Sequence, residues 1–218
     1  MKRAERHHLK EDGMQGGLNW FVHFFETWQK EILLGACIVG VAALVFGGLL
    51  FVRAHSRNVQ SRAIGRVLEL SEALETTPGN LAGLETLSKS GASARPACLE
   101  LAAYWAGKGD YAKSETYLGR IPSSPKDLLY YQARDLEGQT LIKKNEFDKA
   151  IALYRKIQDE KPKTYPLDVV LFHLGEAYEL KGQKKEALDI YTKLQTEYGQ
   201  TYYGYSASLK AGRLGLQK

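Results

Sequence analysis

The stretch Phe147-Asp148-Lys149-Ala150-Ile151-Ala152-Leu153-Tyr154-Arg155-Lys156-Ile157 decides the fold. Ala150, Tyr154 and Ile157 fall at steps of four and three, the spacing of one helix face. A similar segment lies 36 residues earlier, Tyr111-Ala112-Lys113-Ser114-Glu115-Thr116-Tyr117-Leu118-Gly119-Arg120-Ile121. Another lies 37 residues later, Lys184-Lys185-Glu186-Ala187-Leu188-Asp189-Ile190-Tyr191-Thr192-Lys193-Leu194. Each follows a turn (Gly109-Asp110, Asn145-Glu146 and Gly182-Gln183), and each turn follows another helical stretch. The unit is therefore helix, tight turn, helix, and it repeats. From residue 57 onward no strand pattern interrupts it.

Small residues at Gly138, Ala150, Gly175 and Ala187 let the two helices of a hairpin approach closely. Tyr154, Tyr178 and Tyr191 are large enough to fill the space between hairpins. These positions resemble the tetratricopeptide repeat. The last unit carries its pattern best, with Leu174, Gly175, Tyr178, Ala187, Tyr191 and Leu194. The middle unit has Gly138, Leu141, Ala150, Tyr154, Ile157 and a terminating Pro162, and the first has Ala102, Trp105, Ser114, Leu118 and Ile121. The chain departs from the family in its 36–37 residue spacing, and in Arg134 and Glu137, which stand where apolar residues are usual. Tyr202 to Ala211 reads as a closing helix, which such a stack needs to cover its last apolar face.

Upstream, Ile64, Val67, Leu68, Ser71 and Leu74 mark one helix face, with Pro78-Gly79-Asn80 predicted to end that helix. A short helix is expected over residues 81–90, and Pro96 suits the start of the next. Further upstream, residues 32–52 hold no charged side chain. Twenty-one residues make a helix of about 32 Å, the thickness of a bilayer core. Lys30 and Arg53 bracket the run, and Trp20, Trp28 and Phe51 sit where interfacial aromatics belong. A signal anchor fits better than a cleaved leader, whose apolar region is shorter.

Within the span, Ala36, Gly40, Ala43 and Gly47 share one face and form a candidate helix-packing stripe. Before it, Leu18, Phe21, Val22, Phe25 and Trp28 read either as a separate interfacial helix or as the beginning of the membrane helix. The expected organisation is a tail at 1–31, a transmembrane helix at 32–52, connecting helices at 53–95 and a repeat domain at 96–218. The fold class is all-α: one transmembrane helix followed by an α-solenoid of about three hairpins.

The net charge is +5, all of it beyond residue 52, where 25 basic residues are interspersed with 20 acidic ones. That dispersal describes a solvated surface and gives no nucleic-acid patch. Cys37 in the span and Cys98 in the distal region are not expected to meet. No phosphate loop, nucleophile elbow or zinc motif occurs. His173 has no partner in the sequence and reads as a packed or surface residue, and Glu176 with Glu179 reads as a solvated face. No catalytic residue, cofactor, metal or small-molecule substrate is expected.

A repeat stack offers surface instead. By the resemblance, the groove lined by first helices includes Gln132, Asp135, Gln139, Val169, Phe172 and Glu176. All 13 tyrosines lie beyond residue 103, and Tyr130, Tyr202, Tyr203 and Tyr205 are candidate contact anchors.

Tail, span, connecting helix and hairpins together resemble the YfgM-type family of single-span, tetratricopeptide-like inner-membrane proteins, ancillary to the Sec translocon. Membership implies a cytoplasmic tail, a periplasmic repeat domain, and contact with the translocon, periplasmic chaperones or envelope-assembly proteins. Read locally, Arg53, Arg57, Arg62 and Arg66 against Lys30 favour the opposite orientation, but Lys2, Arg3, Arg6 and Lys10 nearly cancel that bias. The expectation is a membrane-anchored scaffold or adaptor, with a structural subunit of a larger membrane complex as the alternative.

Overall fold

The computed structural model describes residues 4–74 and 77–216, and within them the chain is all-α, with nine helices and no strand. They are α1 (Ala4–Glu72), α2 (Pro78–Leu87), α3 (Ala94–Gly107), α4 (Tyr111–Leu118), α5 (Leu128–Lys143), α6 (Phe147–Glu160), α7 (Leu167–Lys181), α8 (Lys184–Tyr198) and α9 (Tyr202–Leu216). Two compact units divide the chain, Met1–Asn58 and Val59–Lys218.

In the first unit α1 runs unbroken through the segment before the apolar stretch. Trp28 is exposed there, while the side chains of Leu18, Phe21, Val22 and Phe25 lie outside the described residues. The part of α1 over Ile38–Glu72 is long and apolar enough to cross a membrane, with a window of mean hydropathy 1.9 and none of it buried.

The second unit begins with the end of α1. That helix stops at Glu72 rather than at Pro78. Pro78 instead opens α2, where its fixed φ suits the first turn and its missing N–H has no partner to lose. Val67 and Leu70 of α1, with Leu74 just past its end, pack with Leu81, Leu84 and Leu87 of α2 and with Ala97 and Leu101 of α3. This small core closes one end of the stack.

Three hairpins follow: α3 with α4, α5 with α6, and α7 with α8. Their turns are built alike. Gly109, Asn145 and Gly182 take positive φ values of 78°, 61° and 86°. Glycine meets no Cβ penalty in that region, and asparagine tolerates it better than most residues. The next residues, Asp110, Glu146 and Gln183, donate their N–H groups to carbonyls five positions back, at 2.9, 2.8 and 2.9 Å. That bond satisfies a carbonyl the ending helix leaves open. The Asp110 side chain also caps α4 by accepting from the Lys113 N–H.

Register repeats in the first helices as well. Ala97, Ala133, Val170 and Ala207 are fully buried, spaced by 36, 37 and 37 residues. α9 thus takes the place of a fourth first helix. It packs on α7 and α8 as α7 packs on α5 and α6. Lysines near the ends of first helices reach back to the preceding hairpin: Lys144 to Glu115 at 2.5 Å and Lys181 to Asp148 at 2.6 Å.

The closest approaches are where the sequence places its small residues. A Cβ on Gly138 would stand 2.4 Å from Tyr154 Cζ, and one on Gly175 would stand 2.5 Å from Tyr191 Cε1. Both tyrosines are fully buried. Their hydroxyls donate to the Asp135 carbonyl (3.0 Å) and the Glu179 carboxylate (2.8 Å), so no buried O–H is left unpaired there. In the first hairpin the corresponding pair is Ala102 with Leu118, a larger small residue matched to a smaller large one.

Alanine in place of a helical glycine ordinarily gains about 1 kcal/mol. At Gly175 a buried ring blocks that methyl, and overpacking of this kind costs about 1–3 kcal/mol. Gly175→Ala is therefore expected to lower the melting temperature of the full chain in detergent, followed by circular dichroism. Adding Tyr191→Leu should recover part of the loss by recreating the Ala102–Leu118 pairing. Gly212→Ala, with nothing within 4 Å of its Cβ position, should be neutral or stabilising.

Candidate protein-binding face

The first helices α3, α5, α7 and α9 pack in succession, and this layer carries the candidate groove residues. Gln132 on α5 is exposed, Gln139 is half-buried and Asp135 is buried. On α7, Val169 and Glu176 are half-buried and Phe172 is buried.

Asp135 is covered by groups the sequence reading did not assign to it. Its Oδ2 accepts from Gln139 Nε2 at 2.9 Å, and its Oδ1 lies 2.7 Å from His173 Nδ1 on the next hairpin. His173 therefore has a carboxylate partner, contrary to the expectation from sequence. The pairing was legible in principle: residues 135 and 173 are 38 apart, close to one repeat, and equivalent positions of adjacent repeats sit side by side. Burial, with the Asp135 carboxylate next in effect, pushes the nearby Tyr165 phenol well above its ordinary range.

The same offset of 38 brings Lys210 of α9 over Phe172. Lys210 Nζ lies 3.2 Å from Glu176 and 2.8 Å from Glu179, and 5.8 and 5.6 Å from the Phe172 and Tyr191 ring centres. Glu176 and Glu179 are thus held by one ammonium and are not the solvated face expected from the sequence. Burial alone would raise the Glu179 carboxyl, but hydrogen bonds from Lys210 and Tyr191 outweigh it and hold Glu179 below the usual range. Phe172 is flanked by Tyr203, with ring centres 5.2 Å apart.

Of the candidate anchors, Tyr130 is buried and Tyr203 is packed, while Tyr202 and Tyr205 are 76% and 63% exposed. Arg134, flagged as out of place in the sequence, pairs with Glu137 and lies over the Tyr130 ring. Gln132 also lines a trough with Arg95, Leu99, Leu128 and Leu129. In the first unit Gly40, Ala43 and Gly47 are exposed, and nothing lies within 4 Å of a Cβ at either glycine. The Ala36 side chain lies outside the described residues.

Comparison with known families gives one match: the tetratricopeptide repeat, over residues 169–201. That segment is α7, its turn and α8. The chain is tetratricopeptide-like. No curated protein and no solved structure matches it. Tetratricopeptide repeats generally mediate protein–protein interaction, so this chain has protein partners as its expected ligands. In this tetratricopeptide-like stack, the matched hairpin is the one whose first helix carries Val169, Phe172, His173 and Glu176.

Two measurements test the cluster. Asp135→Ala strands His173 and Gln139 in a buried place and is expected to cost about 1–3 kcal/mol in denaturant unfolding. The Lys210–Glu179 contribution has a defined pH dependence. The folded Glu179 value is depressed, so its stabilisation is complete above the unfolded value of about 4.3 and is lost as pH falls through the folded value. Lys210→Met should melt earlier than wild type at neutral pH. It should also lose less further stability than wild type on acidification through about pH 5 to 3.

Proposed function

We propose that this chain is a membrane-anchored adaptor that holds protein partners at the bacterial inner membrane, in secretion or in periplasmic chaperone networks. The observation that carries this reading is the succession of four first helices, α3, α5, α7 and α9, in a stack whose best-formed unit matches the tetratricopeptide repeat. Such a layer presents one long face to an extended or helical segment. Gln132, Gln139, Val169 and Glu176 keep exposure on it and are the proposed contacts. Asp135 and Phe172 are proposed to act from beneath, by fixing their neighbours.

The unburied apolar part of α1 supports an anchor over residues 32–52, with a tail at 1–31, connecting helices at 53–95 and the binding domain at 96–218. The resemblance to the YfgM-type family supports a periplasmic position for that domain, and translocon, chaperone or envelope-assembly proteins as partners. A second reading, a structural subunit of a larger membrane complex, is favoured by the open stripe at Gly40, Ala43 and Gly47, where a membrane helix can approach closely.

Affinity capture of the full chain after mild detergent extraction is expected to recover secretion or envelope-assembly proteins. Recovery of none by a folded sample would overturn the adaptor reading. Protease added to intact spheroplasts should cut the C-terminal region; full protection places it in the cytoplasm. On native gels, Gly40→Leu with Gly47→Leu should release the chain from its complex if the structural reading holds, and should leave it unchanged if the adaptor face alone makes the contact.

A further inference from the structure

In the Val59–Lys218 unit a trough of about 620 Å³ opens between the end of α1, α3 and α5. Three aliphatic side chains reach into it while still half-exposed: Ile64 at 45%, Leu68 at 49% and Leu128 at 49%. Leu99 and Leu129 add to its apolar wall. Aliphatic groups gathered in one depression are a recognition feature more often than scattered ones.

The charges around the trough do not balance. Arg95 grips Asp127 with two hydrogen bonds, at 2.8 and 2.7 Å, and those two charges cancel. Glu100 has no such partner: among the described residues no cation pairs with it. It is half-buried against the apolar wall, and burial pushes its carboxyl above the ordinary value. The trough therefore offers apolar surface and one uncompensated carboxylate. An acidic or purely apolar occupant would leave that carboxylate further desolvated and unpaired, which is costly.

We infer that the trough between α1, α3 and α5 receives a segment of a partner protein that presents two or three large apolar side chains and one Lys or Arg directed to Glu100. The inference rests on the protein-binding reading above and adds where the partner sits and what its chemistry is. Apolar contact supplies area, and the cation supplies selection among apolar segments.

The test is selection of displayed random peptides, roughly twelve residues long, on the full chain in detergent micelles. Three samples are compared: wild type, Glu100→Gln and Leu128→Ser, each first shown by circular dichroism to be folded. Selected peptides are expected to carry at least two large apolar residues and a Lys or Arg. Their affinity should fall about tenfold on Glu100→Gln, as for loss of a partly buried charge pair. Leu128→Ser should weaken all of them, whatever their charge. The inference is overturned if wild type enriches no peptide. It is also overturned if enriched peptides lack a basic residue, which would point to an acyl-chain-like apolar slot. It is overturned, too, if they bind both variants unchanged, which would put the contact elsewhere. Affinity capture separates this from the broader reading: partners recovered equally by wild type and both variants leave the adaptor standing and remove the trough from it.

Discussion

The stack depends on how closely the two helices of each hairpin approach, and in the second and third hairpins that distance is set by a glycine meeting a tyrosine ring. At Gly138 and Gly175 there is no room for a methyl group, because Tyr154 and Tyr191 fill the volume a side chain would need. The ring replaces many small contacts by one large, rigid, fully buried surface. Its hydroxyl donates to a carbonyl or a carboxylate of the glycine's own helix, which removes the penalty of burying a polar group. The first hairpin reaches a similar end with Ala102 and Leu118, neither of which brings a buried hydroxyl to satisfy.

Because that contact recurs at nearly the same spacing, everything attached to the first helices recurs too. Position 135 meets position 173, and position 172 meets position 210, each one residue beyond a repeat. What the chain places at those meeting points differs along the stack: an aspartate under a histidine between α5 and α7, and a phenylalanine under a lysine between α7 and α9. One architecture thus produces two chemical environments. The lysine end draws two carboxylates together and joins the last helix to the repeat before it. The helix that closes the stack is then held by charge as well as by packing around Ala207.

At the other end the repeat pattern gives way to α1 and α2, and the surface changes character with it. The first helices α3 and α5 are flanked there by aliphatic side chains of α1 that no later helix covers. Arg95 and Asp127 settle their charges between themselves, while Glu100 does not. The face that a repeat domain offers to partners is therefore graded, from polar and aromatic around α7 and α9 to apolar and acidic around α3.

Much of this was legible in the sequence. The spacing of Tyr111, Phe147 and Lys184, with Gly109, Asn145 and Gly182 before them, determined the hairpins and their turns, because a positive φ and a helix face leave local signatures. The apolar run at 32–52 was equally plain, since nothing local offsets twenty-one uncharged residues. The end of α1 was misplaced because Pro78 is compatible with both stopping one helix and opening the next. The ion pairs of Glu176 and Glu179 and the isolation of Glu100 were decided only by tertiary structure, and so was the choice of Asp135 as the partner of His173 among the positions about one repeat away. They depend on which side chains from different hairpins face one another. A rotation of one helix by a single residue, about 100°, would have given each of them a different neighbour without altering the repeat at all.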